Sequence, residues 1–220
     1  PVIKWKPHNL LTYSEQFDNA DWSKSQLHAF GSGSVANAIA APDGTLTADY
    51  IQENTASSVT HYTWETKTLE AVTYKYTMYA KAGERTWLWM RANFVSGGRD
   101  SYFNLSTGAT GTVGSGVTAT MVDAGNGWYA CSIEGLAIAG ARNTLVGPAS
   151  ADNTKNYTGD GSSGLYLWGA HWFRTDLGGM VNNPATASSY VPTTTAPVYL
   201  PRVGNHVYNG TSWVNEGLLL

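Results

Sequence analysis

In the stretch Trp87-Leu88-Trp89-Met90-Arg91, aromatic or charged residues alternate with the apolar residues Leu and Met. In a β-strand, successive side chains point to opposite faces, so Trp87, Trp89 and Arg91 share one face and Leu88 and Met90 share the other. The second face suits a protein core. Two indole rings and a guanidinium on the first face suit a sugar or another protein surface. This stretch therefore predicts a strand with one core face and one binding face.

Similar short runs recur along the chain and are separated by Gly, Asn, Asp and Ser, which favour turns. No window carries the i, i+3, i+4, i+7 repeat of apolar residues, with capping signals at both ends, that an amphipathic helix shows. The sequence therefore predicts an all-β domain of the sandwich or barrel type. The predicted strands are 24–30, 45–52, 58–66, 72–81, 86–94, 100–105, 116–122, 127–136, 142–147, 164–174 and 189–199.

The composition excludes several classes of protein. Charged residues make up 13% of the 220 residues, about half of the usual share of about 25%. The net charge of −3 provides no basic field for DNA or RNA. No apolar run approaches the roughly 20 residues that would span a bilayer, so no membrane insertion is expected. Cys131 is the single cysteine, and its alternating context predicts a small core residue.

Catalytic motifs are absent from the sequence: it has no Gly-x-Ser-x-Gly elbow, no His-Glu-x-x-His and no phosphate-binding loop. His61 and Glu65 lie on one face of a predicted strand, opposite Tyr62 and Trp64. We interpret that polar face as ordinary surface polarity rather than as a metal half-site or an acid–base pair. We therefore expect a protein that is not an enzyme. Phe17 and Trp22 are predicted to pin an irregular N-terminal loop, and Trp128 and Trp168 to be core or rim anchors.

Several stretches, in consistent order, resemble a module of phage tail-fibre and head-spike proteins, which is similar to jelly-roll carbohydrate-binding modules. They are residues 9–17 (NLLTYSEQF) with Trp22, 41–45 (APDGT), 81–83 (KAG), 103–108 (FNLSTG), 123–129 (DAGNGWY), 158–170 (TGDGSSGLYLWGA) and 188–193 (SSYVPT). The resemblance covers residues 9–198. The chain departs from this family at His171, where its members tend to carry Gln.

The resemblance implies a jelly-roll-like antiparallel β-sandwich over residues 1–198, with a short C-terminal extension. Residues 199–220 are expected to form an extended linker or hairpin that leads to a further segment. The implied function is non-catalytic binding of host cell-surface polysaccharide by a virion appendage, a tail fibre or a head spike. Such a protein is made in the bacterial cytoplasm and displayed on the virion surface. Other virion subunits are expected partners, and a homo-oligomer, specifically a trimer, is suspected.

Six residues form the predicted ligand-binding set, on the interpretation that they make an outward aromatic face. Sugar C–H faces stack on aromatic rings, while Arg and Asn donate hydrogen bonds to hydroxyls. The same residue types also mark subunit interfaces, as in a structural or decorating virion protein, or a second packed layer within one chain. An accessory carbohydrate-binding module of a polysaccharide-degrading enzyme is a further alternative. The set comprises Trp87, Trp89, Arg91, Tyr79, Tyr102 and Asn104.

A polar loop over residues 150–163 gathers the oxygen-bearing side chains of Asp152, Asn153, Asn156 and Asp160. Calcium prefers hard oxygen ligands, and jelly-roll carbohydrate modules often hold a structural calcium ion. The spacing fits no EF-hand, and Asp, Asn and Gly are also the ordinary residues of turns. Asp152, Asn156 and Asp160 are therefore weak calcium candidates, and no other cofactor is expected.

Overall fold

The computed structural model describes residues 3–175, 190–203, 206–208 and 213–215. All regular elements within these ranges are β-strands. In chain order they are β1 (Ile3–Asn9), β2 (Ser23–Ser25), β3 (Val35–Ile39), β4 (Ala48–Gln52), β5 (Val59–Thr60), β6 (Tyr62–Leu69), β7 (Thr73–Ala82), β8 (Trp87–Ala92), β9 (Arg99–Asn104), β10 (Ala109–Val113), β11 (Thr118–Gly125), β12 (Trp128–Leu136), β13 (Gly140–Ala149), β14 (Asn156–Tyr157), β15 (Gly164–Arg174), β16 (Val198–Val203), β17 (His206–Tyr208) and β18 (Trp213–Asn215).

Two six-stranded antiparallel sheets form the body of the protein. Sheet I has the strand order β10-β9-β8-β13-β6-β2, and sheet II has the order β11-β12-β7-β15-β4-β3. The chain passes from one sheet to the other between β2 and β3, β4 and β6, β6 and β7, β7 and β8, β10 and β11, β12 and β13, and β13 and β15. Repeated crossing between two facing sheets is the connectivity of a jelly roll. The predicted all-β, jelly-roll-like sandwich is confirmed.

The core lies between the sheets and follows the two-residue alternation of the strands. On β7, Tyr74, Tyr76, Met78 and Ala80 are between 0 and 3% exposed and belong to the main apolar cluster. Sheet I contributes Leu88, Met90 and Phe103 to the same cluster, and β12 contributes Cys131 and Ile133. Cys131 is a fully buried free thiol, as its context predicts. Burial of these side chains supplies the main favourable term in folding.

Strand β15 changes the face that it presents to the core at a bulge. The register shifts between Trp168 and His171, where Gly169 adopts a φ of +63°. That left-handed conformation favours glycine, and a Cβ at Gly169 would lie 3.0 Å from Tyr79 Cδ2. Beyond the bulge, Ala170 and Trp172 point into the core. The bulge therefore changes which residues of β15 face the core: Leu165 and Leu167 before it, and Ala170 and Trp172 after it.

The N-terminal segment is pinned as predicted. Phe17 and Trp22 are buried, and their ring centroids lie 4.8 Å apart. The Asn9 side chain donates to the carbonyls of Ala170 and Val191, at 3.0 and 2.8 Å. These contacts tie the segment both to β15 and to the chain that follows Tyr190.

The interpretation of His61 and Glu65 as surface polarity is wrong. Both side chains point inward, His61 from the residue just before β6 and Glu65 from β6 itself, and they are 0 and 4% exposed. The Glu65 carboxylate accepts hydrogen bonds from the backbone N–H and the hydroxyl of Thr12 and pairs with Lys67. His61 packs against the ring of Tyr157, at 4.7 Å between centroids. The alternation located the face, but local polarity did not show which way it points.

At the C-terminal end, the prediction of a strand over 189–199 is wrong for residues 190–197, which form no strand. Strand β16 begins at Val198 and pairs with β1 in a four-stranded sheet of order β1-β16-β17-β18. Strands β17 and β18 pair antiparallel, and residues 209–212 between them lie outside the described residues. In the described part of the chain, no helix is long and apolar enough to cross a membrane.

Candidate functional site

The outer face of sheet I gathers most of the predicted ligand-binding set. In the register of β8 and β9, Trp87 lies opposite Asn104 and Trp89 opposite Tyr102. Arg91 completes the row on the same side of β8. Trp89 and Tyr102 belong to an apolar cluster separate from the main core. The alternation therefore places these five residues together on the face away from the core.

The outer face of sheet I is covered at Trp89 and Tyr102, where the predicted site requires exposed rings. Trp89 and Tyr102 are only 2 and 1% exposed, so the prediction that they are surface ligand contacts is wrong. The physical reason is a second layer formed by residues 150–157, which we call the strap. The Lys155 amine of the strap lies 5.1 Å from the centroid of the Trp89 ring. Trp87, Arg91 and Asn104 are half-buried.

Tyr79 does not join the set, because it lies on the outer face of sheet II. It is 1% exposed and packs against Trp168 at 5.2 Å and Tyr190 at 6.3 Å between ring centroids. Its prediction as a ligand contact is wrong as well. The indoles of Trp128 and Trp168 in the same cluster donate to the Ala40 carbonyl and the Thr47 hydroxyl. The prediction that these two tryptophans are anchors is confirmed.

The Asp100 carboxylate binds the strap to the sheet. It accepts hydrogen bonds from the Trp89 indole at 3.0 Å and from Arg91 Nη1 at 3.1 Å, and it pairs with Lys155 at 2.5 Å. Burial, followed by the negative charges of Asp100 and Asp152, raises the pKa of Tyr102 to about 12. With its 1% exposure, Tyr102 belongs to a packed layer.

The other end of the strap is held by a buried carboxylate. Glu53 is 0% exposed and accepts hydrogen bonds from Arg85 Nε at 2.8 Å, the Tyr157 hydroxyl at 2.6 Å and the Asp160 backbone N–H at 2.9 Å. Arg85 also stacks over the Tyr157 ring, 4.9 Å from its centroid. Because breaking such a buried ion pair is costly, these contacts act as a structural clamp for the strap.

Tyr62 and Trp64 of β6 remain accessible on the same outer face. We call this pair the aromatic shelf. Both side chains are half-buried, and their ring centroids lie 5.1 Å apart with the planes tilted by 38°. The Tyr62 ring meets the Trp89 ring edge-on at 6.0 Å, which supports the shelf from below. Alternation along the strand places these two residues opposite His61 and Glu65, but neither belongs to the predicted ligand-binding set.

Polar side chains continue the row that contains Trp64. In register across sheet I, Trp64 lies beside Leu145, Leu145 beside Arg91, and Arg91 beside Asp100. With strands about 4.8 Å apart, Arg91 lies about 10 Å from Trp64 along this row. Two residues further along β6, on the same face, Thr66 lies beside Asn143 of β13. The face thus offers flat rings for apolar contact and amide and guanidinium donors within the span of a sugar unit or two.

The three calcium candidates, Asp152, Asn156 and Asp160, each accept hydrogen bonds from different residues. Asp152 accepts from the N–H and hydroxyl of Thr112, at 2.8 and 3.0 Å. Asn156 accepts from the Thr60 hydroxyl, and the hydrogen bonds that Asp160 accepts from Ser163 and Ser162 lower its pKa. Within the described ranges, no three His, Cys, Asp or Glu side chains are grouped as metal ligands.

A small polar cleft lies near the sheet II edge, with a volume of about 170 Å³. Close to it, the buried Asp49 accepts from the backbone N–H groups of Phe17 and Asn37, at 2.8 and 2.9 Å. Burial raises the pKa of Asp49 to about 6, although these two hydrogen bonds oppose the shift. The residues that line the cleft are Glu15, Gln16, Asp18, Asn37 and Thr47.

No family model matches the chain. No curated protein matches it either. One similar solved structure is TmCBM27, a carbohydrate-binding module studied for its specific mannan recognition, with 12% identity and a TM-score of 0.35 over 80% of this chain and all of that one. A likeness at this TM-score assigns no ligand to the chain.

Proposed function

We propose that this chain is a non-catalytic glycan-binding module and that a polysaccharide chain docks on the aromatic shelf. The observation that carries the proposal is the pair of half-buried rings of Tyr62 and Trp64, 5.1 Å apart and supported by Trp89. Aromatic rings that keep a water-accessible face can stack against the C–H face of a sugar. Positioning by buried neighbours lowers the ordering cost of binding.

Hydrogen-bonding groups beside the shelf give the proposed site its polar contacts. The Arg91 guanidinium is positioned by Asp100, and Asn143 lies on the same face one row from Trp64. Guanidinium and amide groups pair well with sugar hydroxyls because they offer donors in fixed planar geometry. Trp87 and Asn104, both half-buried, remain candidate contacts for a longer chain that extends along β8.

The proposal assigns no chemistry to the module. Asp100, the carboxylate at the end of the row that contains Trp64, accepts hydrogen bonds from three donors. A carboxylate that is held in this way stabilises its neighbours and is poorly placed to exchange protons with a substrate. The proposed function is adhesion to a polysaccharide.

The biological setting in the proposal is a phage tail fibre or head spike that touches host cell-surface polysaccharide. Its support is the ordered sequence resemblance over residues 9–198. Display as a trimer would strengthen weak single sites by avidity, since the second and third contacts become intramolecular. Other virion subunits are the further proposed partners, and the virion surface is the proposed location.

A glycan array probed with wild-type protein and with the Trp64→Ala variant tests the proposal. We expect the wild type to bind a defined group of bacterial surface polysaccharides and the variant to lose that signal. Leu136→Ala is the matched control, because Leu136 is 63% exposed and is not on β6. Equal signals from wild type and Trp64→Ala would exclude the shelf. A shelf-dependent oligomer that binds no glycan would instead favour a subunit-docking surface.

A further inference from the structure

The outer face of sheet II carries a second pair of half-buried rings. Tyr50 of β4 and Tyr166 of β15 are partners in the strand register. Their ring centroids lie 5.0 Å apart, and the planes are tilted by 50°. Because the two outer faces of a sandwich point in opposite directions, this pair lies on the side of the molecule opposite the aromatic shelf.

Two glycines place the Tyr50 ring close to the backbone. A Cβ at Gly164 would lie 2.8 Å from Tyr50 Cζ, and a Cβ at Gly83 would lie 3.2 Å from Tyr50 Cε2. The Tyr50 hydroxyl donates to the Glu84 carboxylate, which fixes the ring at its outer end. The Tyr50 ring is thus positioned before any ligand binds, as a stacking surface requires.

Polar groups border this pair on several sides. Glu84 is exposed, and Gln52 donates to the Ser162 carbonyl at 2.7 Å. Lys81, half-buried, is the register partner of Tyr166 on the side away from Tyr50. A carboxylate acceptor, an amide and an ammonium donor around two rings form the mixed apolar and hydrogen-bonding surface that suits a sugar.

We propose that Tyr50 and Tyr166 form a second glycan subsite, so that one molecule binds two polysaccharide segments on opposite faces. The inference rests on the proposed function for the class of ligand but uses separate residues. Its consequence is that even a monomer would be bivalent. A bivalent protein cross-links long polysaccharide chains, and its apparent affinity for a polymer exceeds its affinity for a short oligosaccharide.

The test uses affinity electrophoresis of the full chain in gels that contain mannan, xylan, glucan or galactan. The variants are Trp64→Ala, Tyr166→Ala and the double substitution, with Leu136→Ala as the control, since Leu136 is 63% exposed and lies on β12, away from both pairs of rings. We expect each single variant to be retarded less than wild type in the same polysaccharide. The double variant should lose at least about tenfold in affinity relative to either single variant.

The outcomes separate the two proposals. If Trp64→Ala removes all retardation and Tyr166→Ala behaves as wild type, the second subsite is overturned and the proposed function stands. If Tyr166→Ala removes all retardation and Trp64→Ala has no effect, the second subsite is supported and the shelf is overturned. Wild type that is retarded in none of the four gels and binds nothing on the glycan array overturns both. Melting temperatures within a few degrees of wild type show that the variants are folded.

Discussion

The Lys155 amine lies over the ring of Trp89, 5.1 Å from its centroid. Trp89 points away from the main core, yet it is only 2% exposed, because the strap that carries Lys155 closes over it. Sheet I is therefore packed on both faces around β8. An aromatic residue on the outer face of a sandwich is in this case a structural residue. The proposed binding surface is formed by its neighbours on β6.

Substitution of Trp89 tests this layered packing. Trp89→Ala should lower the free energy of unfolding by about 3–5 kcal/mol, as large-to-small changes of buried aromatic residues do. Leu88→Ala, on the core face of the same strand, should cost about 2–5 kcal/mol. Denaturant titration measures both. If Trp89→Ala unfolded within about 0.5 kcal/mol of wild type, as surface substitutions do, the strap would not cover the ring in solution.

Removal of the Lys155 charge tests how the strap is held. Lys155→Met keeps an apolar side chain over Trp89 but loses the ion pair with Asp100 and the cation–π contact. Because the pair is partly solvated, we expect a loss of only about 1 kcal/mol in global stability. Amide hydrogen exchange in residues 150–157 should become faster.

Lys81→Met is the control for that experiment, since Lys81 lies on sheet II and donates to the Asn126 carbonyl in the turn between β11 and β12. Its exchange pattern in the strap should match wild type. Unchanged strap exchange in Lys155→Met would show that the Glu53 clamp and the Asp152 hydrogen bonds hold the strap without Lys155.

The prediction of the two strand faces succeeded because side-chain alternation is a local property of extended backbone. Trp87, Trp89 and Arg91 do share a face, as do Leu88 and Met90. The covering of that face could not be predicted from the sequence. It depends on Asp100 and Glu53, which lie 55 and 104 residues from their strap partners Lys155 and Tyr157. No local pattern encodes contacts at that separation.

Two other differences have similar causes. Strand β10 (Ala109–Val113) was not predicted, because its sequence ATGTV alternates only weakly and it is an exposed edge strand. Glu65 was expected at the surface, but Thr12 and Lys67 satisfy its carboxylate in the interior. Buried charges with remote partners look the same in a sequence as surface charges.

Asp49 should make the stability of the fold depend on pH. Burial raises its pKa to about 6, above the ordinary value of about 3.9. The folded protein therefore binds this proton more tightly than the unfolded chain does, and the free energy of unfolding should fall as pH rises from about 4 to about 6. The expected contribution is on the order of 2 kcal/mol.

The comparison with Asp49→Asn isolates that contribution from the other titrating groups. The variant cannot ionise at this position, so its stability should change less between pH 4 and pH 6 than that of wild type. Denaturant titrations at several pH values measure the difference. Parallel pH profiles for the two proteins would contradict the raised pKa.

The central claim is that the aromatic shelf binds polysaccharide, and calorimetric titration of Trp64→Ala tests it most directly. An oligosaccharide cut from a polysaccharide that wild type binds serves as the ligand, and the melting temperature is recorded in parallel. The account predicts at least about a tenfold loss of affinity, from the loss of one stacking ring, with a melting temperature close to that of wild type because Trp64 is only half-buried. Wild-type affinity in a folded Trp64→Ala variant would contradict it.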